Sequence, residues 1–467
     1  MVRDDRAPSV FALVMNGNEE TIPDQLQALL RTYPDLEVVE AILPDINGNF
    51  RGKWLARSKI DKAFRDGIKM PLSTLAFDVW GRDPESWVYD NGDADGICKL
   101  DANSLVPVPW MSRTTAQVLL SLNETNGQPC AYDPRAILAR LIRQFKQLGL
   151  TPVVASEMEF YLLNRECDLH GKPQHTQQSK MSIAAIGGQT YGIETMQEMA
   201  EIMHGIRDAC SAQHLPIDTL IKEAALSQYE INLDHQSDAM LAADQGLLLK
   251  RAIKGVAGKY GMRASFMAKP FADTAGNGMH IHCSLLDEEG NNAFDNNTDT
   301  GNGLLRHAVA GCLASMNDCM LLFAPHMNSY RRYQSGSHAP TAPSWGYENR
   351  TVAVRIPADK HSNMRIEHRV TGADAHPHLV IAAIIGGMLN GIREKLEPPA
   401  PLTGNAYLRE DSPLPKTWAD AIERFSRSKF IETYFGEEFQ RVFTATKRQE
   451  LEEFNKHITP LEYMSYL

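Results

Sequence analysis

The residues of this chain that can do chemistry sit in a few short stretches where charged and apolar side chains alternate. The first is PVVASEMEFYLL, Pro152–Leu163, with Glu157 and Glu159 separated by one residue. Its Val, Phe, Tyr and Leu content predicts a strand, in which successive side chains take opposite faces. Glu157 and Glu159 therefore share one face, and Met158 and Phe160 share the other. Two neighbouring carboxylates repel, and each resists ionisation unless a cation sits between them. Mg²⁺ or Mn²⁺, ligated by oxygen, is the usual such cation. For this stretch alone, a sheet with one wetted face explains the pattern equally well.

Three more stretches repeat it. GMHIHCSLL puts His280 and His282 on one face and Met279, Ile281 and Cys283 on the other. MRIEHRV turns Arg365, Glu367 and Arg369 one way and Ile366 and His368 the other. EAALSQYEINL reads as a strand over Glu223–Leu233, carrying Glu230 between Tyr229 and Ile231, with Glu223 at its start. A histidine pair in a strand is more often packed than ligating, and any one such strand can simply face water. Four strands lining one face with Glu, His or Arg instead predict a charged funnel. Its carboxylates need divalent metals and Arg as compensation, and Arg in turn suits phosphate. MNSYRRYQSG and NRTVAVRIP add Arg331, Arg332, Arg350 and Arg355, whose forks bind carboxylate or phosphate bidentately. Together these residues point to multi-metal phosphoryl transfer with room for a carboxylate substrate. There is no GxxxxGK[ST] loop and no dinucleotide fingerprint, so metals, Arg and His282 would have to hold a nucleotide.

SEMEFYLL, EAALSQYEINL, GNGMHIHCSL, NSYRRY, NRTVAVRIP and RIEHRV, in this order and spacing, resemble the glutamine synthetase family. More closely they resemble its γ-glutamyl-polyamine ligase branch, over nearly the whole chain. The resemblance implies two or three Mg²⁺ or Mn²⁺ per active site, with ATP as a substrate. It makes Glu159, Glu223 and Glu230 ligands of one metal, and Glu157, His280 and Glu367 ligands of the second. It assigns His282, Ser284, Arg355 and Arg365 to ATP. Arg350, Arg355 and Arg365 match positions that neutralise the transferring phosphate. Glutamate would be held by Gly276, Arg332 and Arg369, with Glu159 and His280 alongside. The implied reaction phosphorylates the γ-carboxylate of glutamate, and an amine then attacks the acyl phosphate.

Departures from the family pattern bear on the amine. Ammonia-using members carry a Glu six residues after the arginine matching Arg332, where this chain has His338. Their proton-accepting Asp, from a neighbouring subunit's N-terminal loop, aligns with Pro71, and a glutamate-binding Asn aligns with Ala275. Lacking both anionic groups, the site should bind ammonium poorly and take an organic amine, polyamine or monoamine. His338 is a candidate base for it, with a cap on the flap as the plain alternative. Asp78, Asp83 and Glu85 are candidates for a diamine's distal ammonium, while Phe77, Trp80 and Trp87 in the same loop would suit an apolar amine. Amine catabolism is the expected setting. The alternatives are an ordinary glutamine synthetase using ammonia, a ring protein that keeps the fold without the chemistry, and, setting the family aside, a two-metal phosphohydrolase. The resemblance further implies a homo-oligomeric ring, hexamer or dodecamer, with active sites between subunits. KHITPLEYMSYL resembles the family's tail that hooks into an opposite ring, and Tyr407 the tyrosine adenylylated in some members.

The elements that must position these residues are legible in outline. The chain has 467 residues, 43% hydrophobic and 22% charged, with a net charge of −11, so two soluble domains, one of them large, are expected and no nucleic-acid partner. Its 7 cysteines form no C-x-x-C spacing, which fits a reducing cytoplasm. Val10–Met15 is too short for a signal peptide and Leu379–Ile392 too short for a membrane span, so no membrane is expected. A boundary near Asn126–Tyr132 divides a small N-terminal β-grasp-like domain, 1–127, from a large catalytic domain, 128–467. Val38–Leu43 and Phe50–Ala56 form a hairpin around Asn47-Gly48. Helices are expected at Thr21–Tyr33, from Asp133 to Gly149, and at Met196–Gln213, Asp238–Tyr260, Gly303–Phe323, His376–Leu396 and Thr417–Phe425. Strands are expected at Arg263–Lys269, Met279–Leu286, Thr351–Ile356 and Met364–Val370. The fold class is α+β, a mostly antiparallel curved sheet or open barrel flanked by helices.

Overall fold

A computed structural model describes residues 23–84, 88, 92–176, 189–408 and 413–467. The expectations at Val10–Met15, Thr21, Glu85 and Trp87 lie outside these residues. Within them the chain builds two sheets.

The first sheet holds β1 (Val38–Pro44), β2 (Phe50–Ala56), β3 (Ile68–Pro71), β4 (Asp95–Leu100), β5 (Val106–Pro107) and β6 (Thr115–Asn123). Its order is β2-β1-β6-β4-β3, with β5 beside β6. The β1–β2 hairpin turns at Asn47-Gly48, where Asp45 Oδ1 accepts from the N–H of Asn47 and of Asn49 at 2.9 Å each. The chain then leaves the sheet and opens the helix Pro134–Lys146, whose N-cap Asp133 accepts from Arg135 N at 2.8 Å. Ile137, Leu138, Leu141 and Phe145 form its buried stripe.

The second sheet holds β7 (Thr151–Cys167), β8 (Pro173–His175), β9 (Ile217–Lys222), β10 (Gln228–Leu233), β11 (Met262–Ser265), β12 (Met279–Leu286), β13 (Trp345–Tyr347), β14 (Val354–Ile356) and β15 (Ile366–His368). Its order is β13-β14-β15-β12-β7-β10-β9, with β8 and β11 also on β7. All its pairings are antiparallel except β13 with β14. Met158, Phe160, Ile231, Ile281, Cys283 and Ile366 make the dry face. The helix Ala239–Lys259 lies on β7 and β11, and the helix Pro377–Glu394 packs against it and against Gly303–Met316 and Pro134–Lys146. Gly391 lets two of these helices touch: a Cβ there would lie 2.0 Å from the His307 carbonyl oxygen. The long apolar helix is therefore core, and no helix among the described residues is long and apolar enough to cross a membrane.

Several elements differ from the sequence expectation. The strand expected over Glu223–Leu233 begins only at Gln228, and residues 223–227 form a turn in which Ser227 takes φ +61°. Gly303–Phe323 is two helices, Gly303–Met316 and Met320–Phe323, and Met196–Gln213 is likewise split into Ile193–Glu198 and Ala200–Ala212. The strands at Arg263–Lys269, Thr351–Ile356 and Met364–Val370 shorten to β11, β14 and β15. The helices Ile60–Asp66, Lys429–Phe435, Glu437–Lys456 and Pro460–Tyr466 were not anticipated. Glu437–Lys456 buries Phe439, Val442, Phe443, Thr446, Lys447 and Glu450 and packs on the helices Trp418–Arg427 and Lys429–Phe435 and on the segment that follows β3. Thr446 donates to Ala76 O at 3.0 Å, and Glu450 Oε1 accepts from Val79 N at 3.0 Å.

Candidate active site

Register gathers the charged side chains. In the second sheet Glu230 on β10 stands opposite Glu159 on β7, and Asn232 opposite Glu157. Across the other edge of β7, His280 on β12 stands opposite Glu157, and His282 opposite Ala155. Next, His282 faces Glu367 on β15, which faces Arg355 on β14. With period two along each strand, these residues share one face of five consecutive strands. Ala155 is small, so Glu157 reaches both imidazoles. Its Oε2 lies 3.1 Å from His280 Nδ1, and its Oε1 lies 2.8 Å from His282 Nε2.

Protonation states follow from the partners. Arg365 Nε donates to His282 Nδ1 at 3.2 Å, so the proton of His282 belongs on Nε2 and points to Glu157. Burial opposes ionisation of Glu157, but the hydrogen bonds from His280 and His282 outweigh it and hold its carboxyl well below the usual range. Glu367 is buried too, and the Arg369 charge leads those that keep its carboxyl low. It is held by Arg355 Nη1 at 2.8 Å and by Arg369 Nη1. Glu230 and Glu223 go the other way. Burial, then the charge of Glu159, raises Glu230 well above the usual carboxylate range and pushes Glu223 up to about 7.

Among the described residues, carboxylate and imidazole atoms that could ligate a metal converge at two points. Those of Glu157, Glu230 and His280 lie within 4.8 Å of one another, as do those of Glu157, His282 and Glu367. This grouping differs from the partition that the family resemblance implies. Glu157 joins both groups, His282 enters one, and Glu159 and Glu223 enter neither. Glu159 Oε2 accepts from Gly278 N at 2.6 Å, while its charge acts on both Glu223 and Glu230. The donor chemistry, mostly carboxylate oxygen with one or two imidazole nitrogens, fits Mg²⁺ or Mn²⁺. The raised acids fit as well, because a divalent cation would relieve their mutual repulsion.

The remaining predicted residues surround this core. Arg332 and Arg369 are buried, and Arg332 Nη1 donates to Val370 O at 2.8 Å. Gly276 lies against Arg332, and Gly278 has no room for a side chain: a Cβ would lie 2.7 Å from Arg332 Nη2 and 3.1 Å from His280 Nε2. Ser284 follows His280 and His282 on their face of β12 and is half-buried. Arg350 and His338 are exposed on loops, and His338 takes φ +59°. Ala275 O accepts from Tyr161 Oη at 2.6 Å. Tyr407 is half-buried against the same loop as His338, donating to Ala339 O at 3.1 Å.

Asp78, a candidate for a distal ammonium, has no free oxygen. It is fully buried, taking Trp80 N and Arg82 N on Oδ1 and Arg82 Nε and Gln449 Nε2 on Oδ2. Pro71 ends β3 on the first sheet, Arg51 lies over the Phe77 ring at 5.3 Å, and Trp80 packs on Phe454 at 5.5 Å. Sequence reasoning passed over Gly278, Asn232, Gln228, Glu348 and Asp359. Glu348 accepts from Arg355 Nη2 at 3.1 Å, and Asp359 from Arg365 Nη1 at 2.8 Å. An acid close in sequence to a strand arginine is the only signal either gives.

Residues 131–466 match the family model described as glutamine synthetase, catalytic domain. Over 440 residues the chain is 37% identical to the γ-glutamylputrescine synthetase PuuA of Escherichia coli, covering 94% of this chain and 93% of that one. It is 31% identical over 465 residues to the γ-glutamylethanolamide synthetase GlnA4 of Streptomyces coelicolor, covering 96% and 98%. A solved structure of a GmaS/ADP complex superposes with a TM-score of 0.82 at 24% identity, covering 94% of this chain and 99% of that one. The likeness to that structure supports the curled sheet flanked by helices.

Proposed function

The chain belongs to the glutamine synthetase family, and from that premise we propose that it is an ATP-dependent ligase joining the γ-carboxylate of L-glutamate to an organic amine. The observation that carries this reading is the meeting of Glu157, Glu230, His280, His282 and Glu367 on one sheet face with Arg355 and Arg369 beside them. Glu157, Glu159, Glu223, Glu230, His280 and Glu367 would hold two or three Mg²⁺ or Mn²⁺. When bound, these ions supply Lewis-acid stabilisation of charge on phosphoryl oxygens.

The protein's own side chains do the rest. His282, Ser284 and Arg365 orient ATP. Arg332, packed against Gly276 and Gly278, and Arg369 hold the carboxylates of glutamate, so that its γ-carboxylate meets the γ-phosphorus in line. ADP leaves, and Arg350 and Arg355 neutralise the phosphoryl oxygens. The amine then attacks the carbonyl carbon of γ-glutamyl phosphate and phosphate departs. The amine's surplus proton passes to His338, which stands where ammonia-using members carry Glu.

The amine reading is supported by the names of the relatives, which act on putrescine and ethanolamine, and by the absence of the anionic pair that draws ammonium. A polyamine of the putrescine class is the first choice of substrate, and amine catabolism the setting. Asp78 is occupied, so a distal ammonium would look to other carboxylates. Rings of this family set one subunit's N-terminal loop against the next subunit's site, and the same assembly is proposed here.

The test is an amine panel with purified protein, ATP, Mg²⁺ and glutamate. Amide formation should be fastest with an organic amine and slowest with ammonium. Ammonium as the best substrate would make the protein an ordinary glutamine synthetase. Phosphate release independent of glutamate and amine would instead favour a two-metal phosphohydrolase.

A further inference from the structure

Lys222 closes β9 and is 2% exposed, an unusual place for an ammonium. Its Nζ donates to two backbone oxygens, Glu223 O at 2.7 Å and Ala225 O at 2.7 Å, with the Tyr229 ring 5.5 Å away. Burying an ammonium costs several kcal/mol unless its donors are satisfied. Here they fold the chain back on itself just where the sequence pattern would let a strand run on.

The turn so made is tightly determined. Glu223 N donates to Gln228 O at 3.0 Å, and Ala225 N to Gln228 Oε1 at 3.1 Å. Ser227 adopts a left-handed φ of +61° and its carbonyl accepts from Leu162 N at 2.9 Å. Gln228 Nε2 reaches Gly276 O at 2.9 Å and Asn277 Oδ1 at 3.1 Å, joining this turn to the loop that leads into β12. A left-handed Ser persists only where its surroundings enforce it, and Lys222 is the side chain bonded to the carbonyls four and two residues before it.

We propose that Lys222 is a positioning residue for the metal site. Its two hydrogen bonds set the Glu223–Gln228 turn and keep the Glu223 carboxylate beside Glu159 and Glu230. The inference rests on the reading of Glu223 as a ligand. Its sign separates it from a purely electrostatic role. A fixed cation behind the site repels a second one, so removing a mere counter-charge would tighten metal binding. Removing a brace loosens it.

The experiment is calorimetric titration of Mn²⁺ alone into metal-free full-length protein. Lys222→Met should weaken Mn²⁺ binding about 10- to 100-fold, the range seen when a group that orients a ligand is lost. Lys222→Gln, which can keep one of the two bonds without the charge, should fall between it and wild type. Affinity equal to or tighter than wild type in either folded variant overturns the proposal. Glu223→Gln run alongside keeps the two claims apart. Unchanged binding there sinks the ligand reading, whereas loss in Glu223→Gln without loss in the Lys222 variants sinks only the role of Lys222.

Discussion

The two ends of the charged face put the same residue type to opposite uses. At one end Glu230 stands directly across from Glu159, with Glu223 nearby, and both Glu230 and Glu223 are pushed toward the neutral form. At the other end Glu367 stands between His282 and Arg355 and is kept ionised, with Arg369 closing its second oxygen. Glu157 is shared between them and sides with the ionised end, because both imidazoles reach it. All are buried or half-buried carboxylates, Glu157, Glu159, Glu230 and Glu367 on one sheet and Glu223 on the turn before β10. What separates them is strand register, which sets an acid against an acid in one place and against bases in the other. Each end carries one group of side chains that could hold a cation, and the second adds guanidiniums of the kind that suit phosphate.

The largest test strikes the acidic end. Glu230→Gln removes one proposed ligand and an acid that burial and the charge of Glu159 hold toward its neutral form. Turnover should fall about 10²- to 10³-fold, as when a group stabilising transition-state charge is lost. The metal-free protein should nevertheless melt higher than wild type. Activity within tenfold of wild type would remove Glu230 from the ligand set, and a lower melting point would mean that it is not under electrostatic strain. The basic end is tested by Arg355→Lys. Arg355 spans Glu367 and Glu348 with different nitrogens, which a lysine point charge cannot do. A loss of about 10²-fold in kcat with an unaltered glutamate KM is expected. A loss confined to KM for glutamate would move Arg355 from the phosphoryl group to the carboxylate.

That division was only half legible in the sequence. Alternation in SEMEFYLL and HIHCSLL was enough to place Glu157, Glu159, His280 and His282 on one face, because a strand with one dry side must alternate. The order β15-β12-β7-β10 was not readable, since register depends on partners distant along the chain. The assignment of Glu223 to a strand failed for a physical reason: the turn is enforced by Lys222 and the left-handed Ser227, neither of which differs in type from a strand residue. Asn317–Cys319 break the helix predicted over Gly303–Phe323, where Asn317, the C-cap, is a weak stop signal with no Gly or Pro beside it. The helix Glu437–Lys456 was hidden by its polar surface. Yet Phe439, Val442, Phe443 and Thr446 recur at helical spacing, and that signal was available.

A smaller effect should appear in stability against pH. Glu223 is raised to about 7 from 4.5, and Glu230 is raised as well. A raised acid holds its proton in the folded state and loses it on unfolding. Its contribution is therefore fully present below the unfolded pKa and disappears as pH rises through the folded one. Glu157 and Glu367 are lowered, so their contribution is present above the unfolded pKa and fades as pH falls below it. Metal-free protein should thus lose melting temperature between pH 5 and pH 8. The slope should be shallower in Glu230→Gln and flattened by Mn²⁺. Equal slopes in wild type and variant would mean that the acidic end is not strained.

The smallest effect belongs to Asp359, at the wet edge of the basic end. Its Oδ2 accepts from Arg365 Nη1 at 2.8 Å, and both side chains are about one-third exposed, 33% and 31%. Arg365 in turn donates to His282, which donates to Glu157, so Asp359 begins a chain that runs into the site. An exposed ion pair is worth at most about 1 kcal/mol, and water replaces much of it. Asp359→Asn should accordingly raise the KM for ATP by no more than about fivefold and leave kcat alone. The contrast with Arg355 is the point of the measurement, since that guanidinium holds a carboxylate only 1% exposed. A loss in Asp359→Asn as large as in Arg355→Lys would show that the chain through His282 transmits as much as direct contact does, and the boundary between the two ends would have to be redrawn through Arg365.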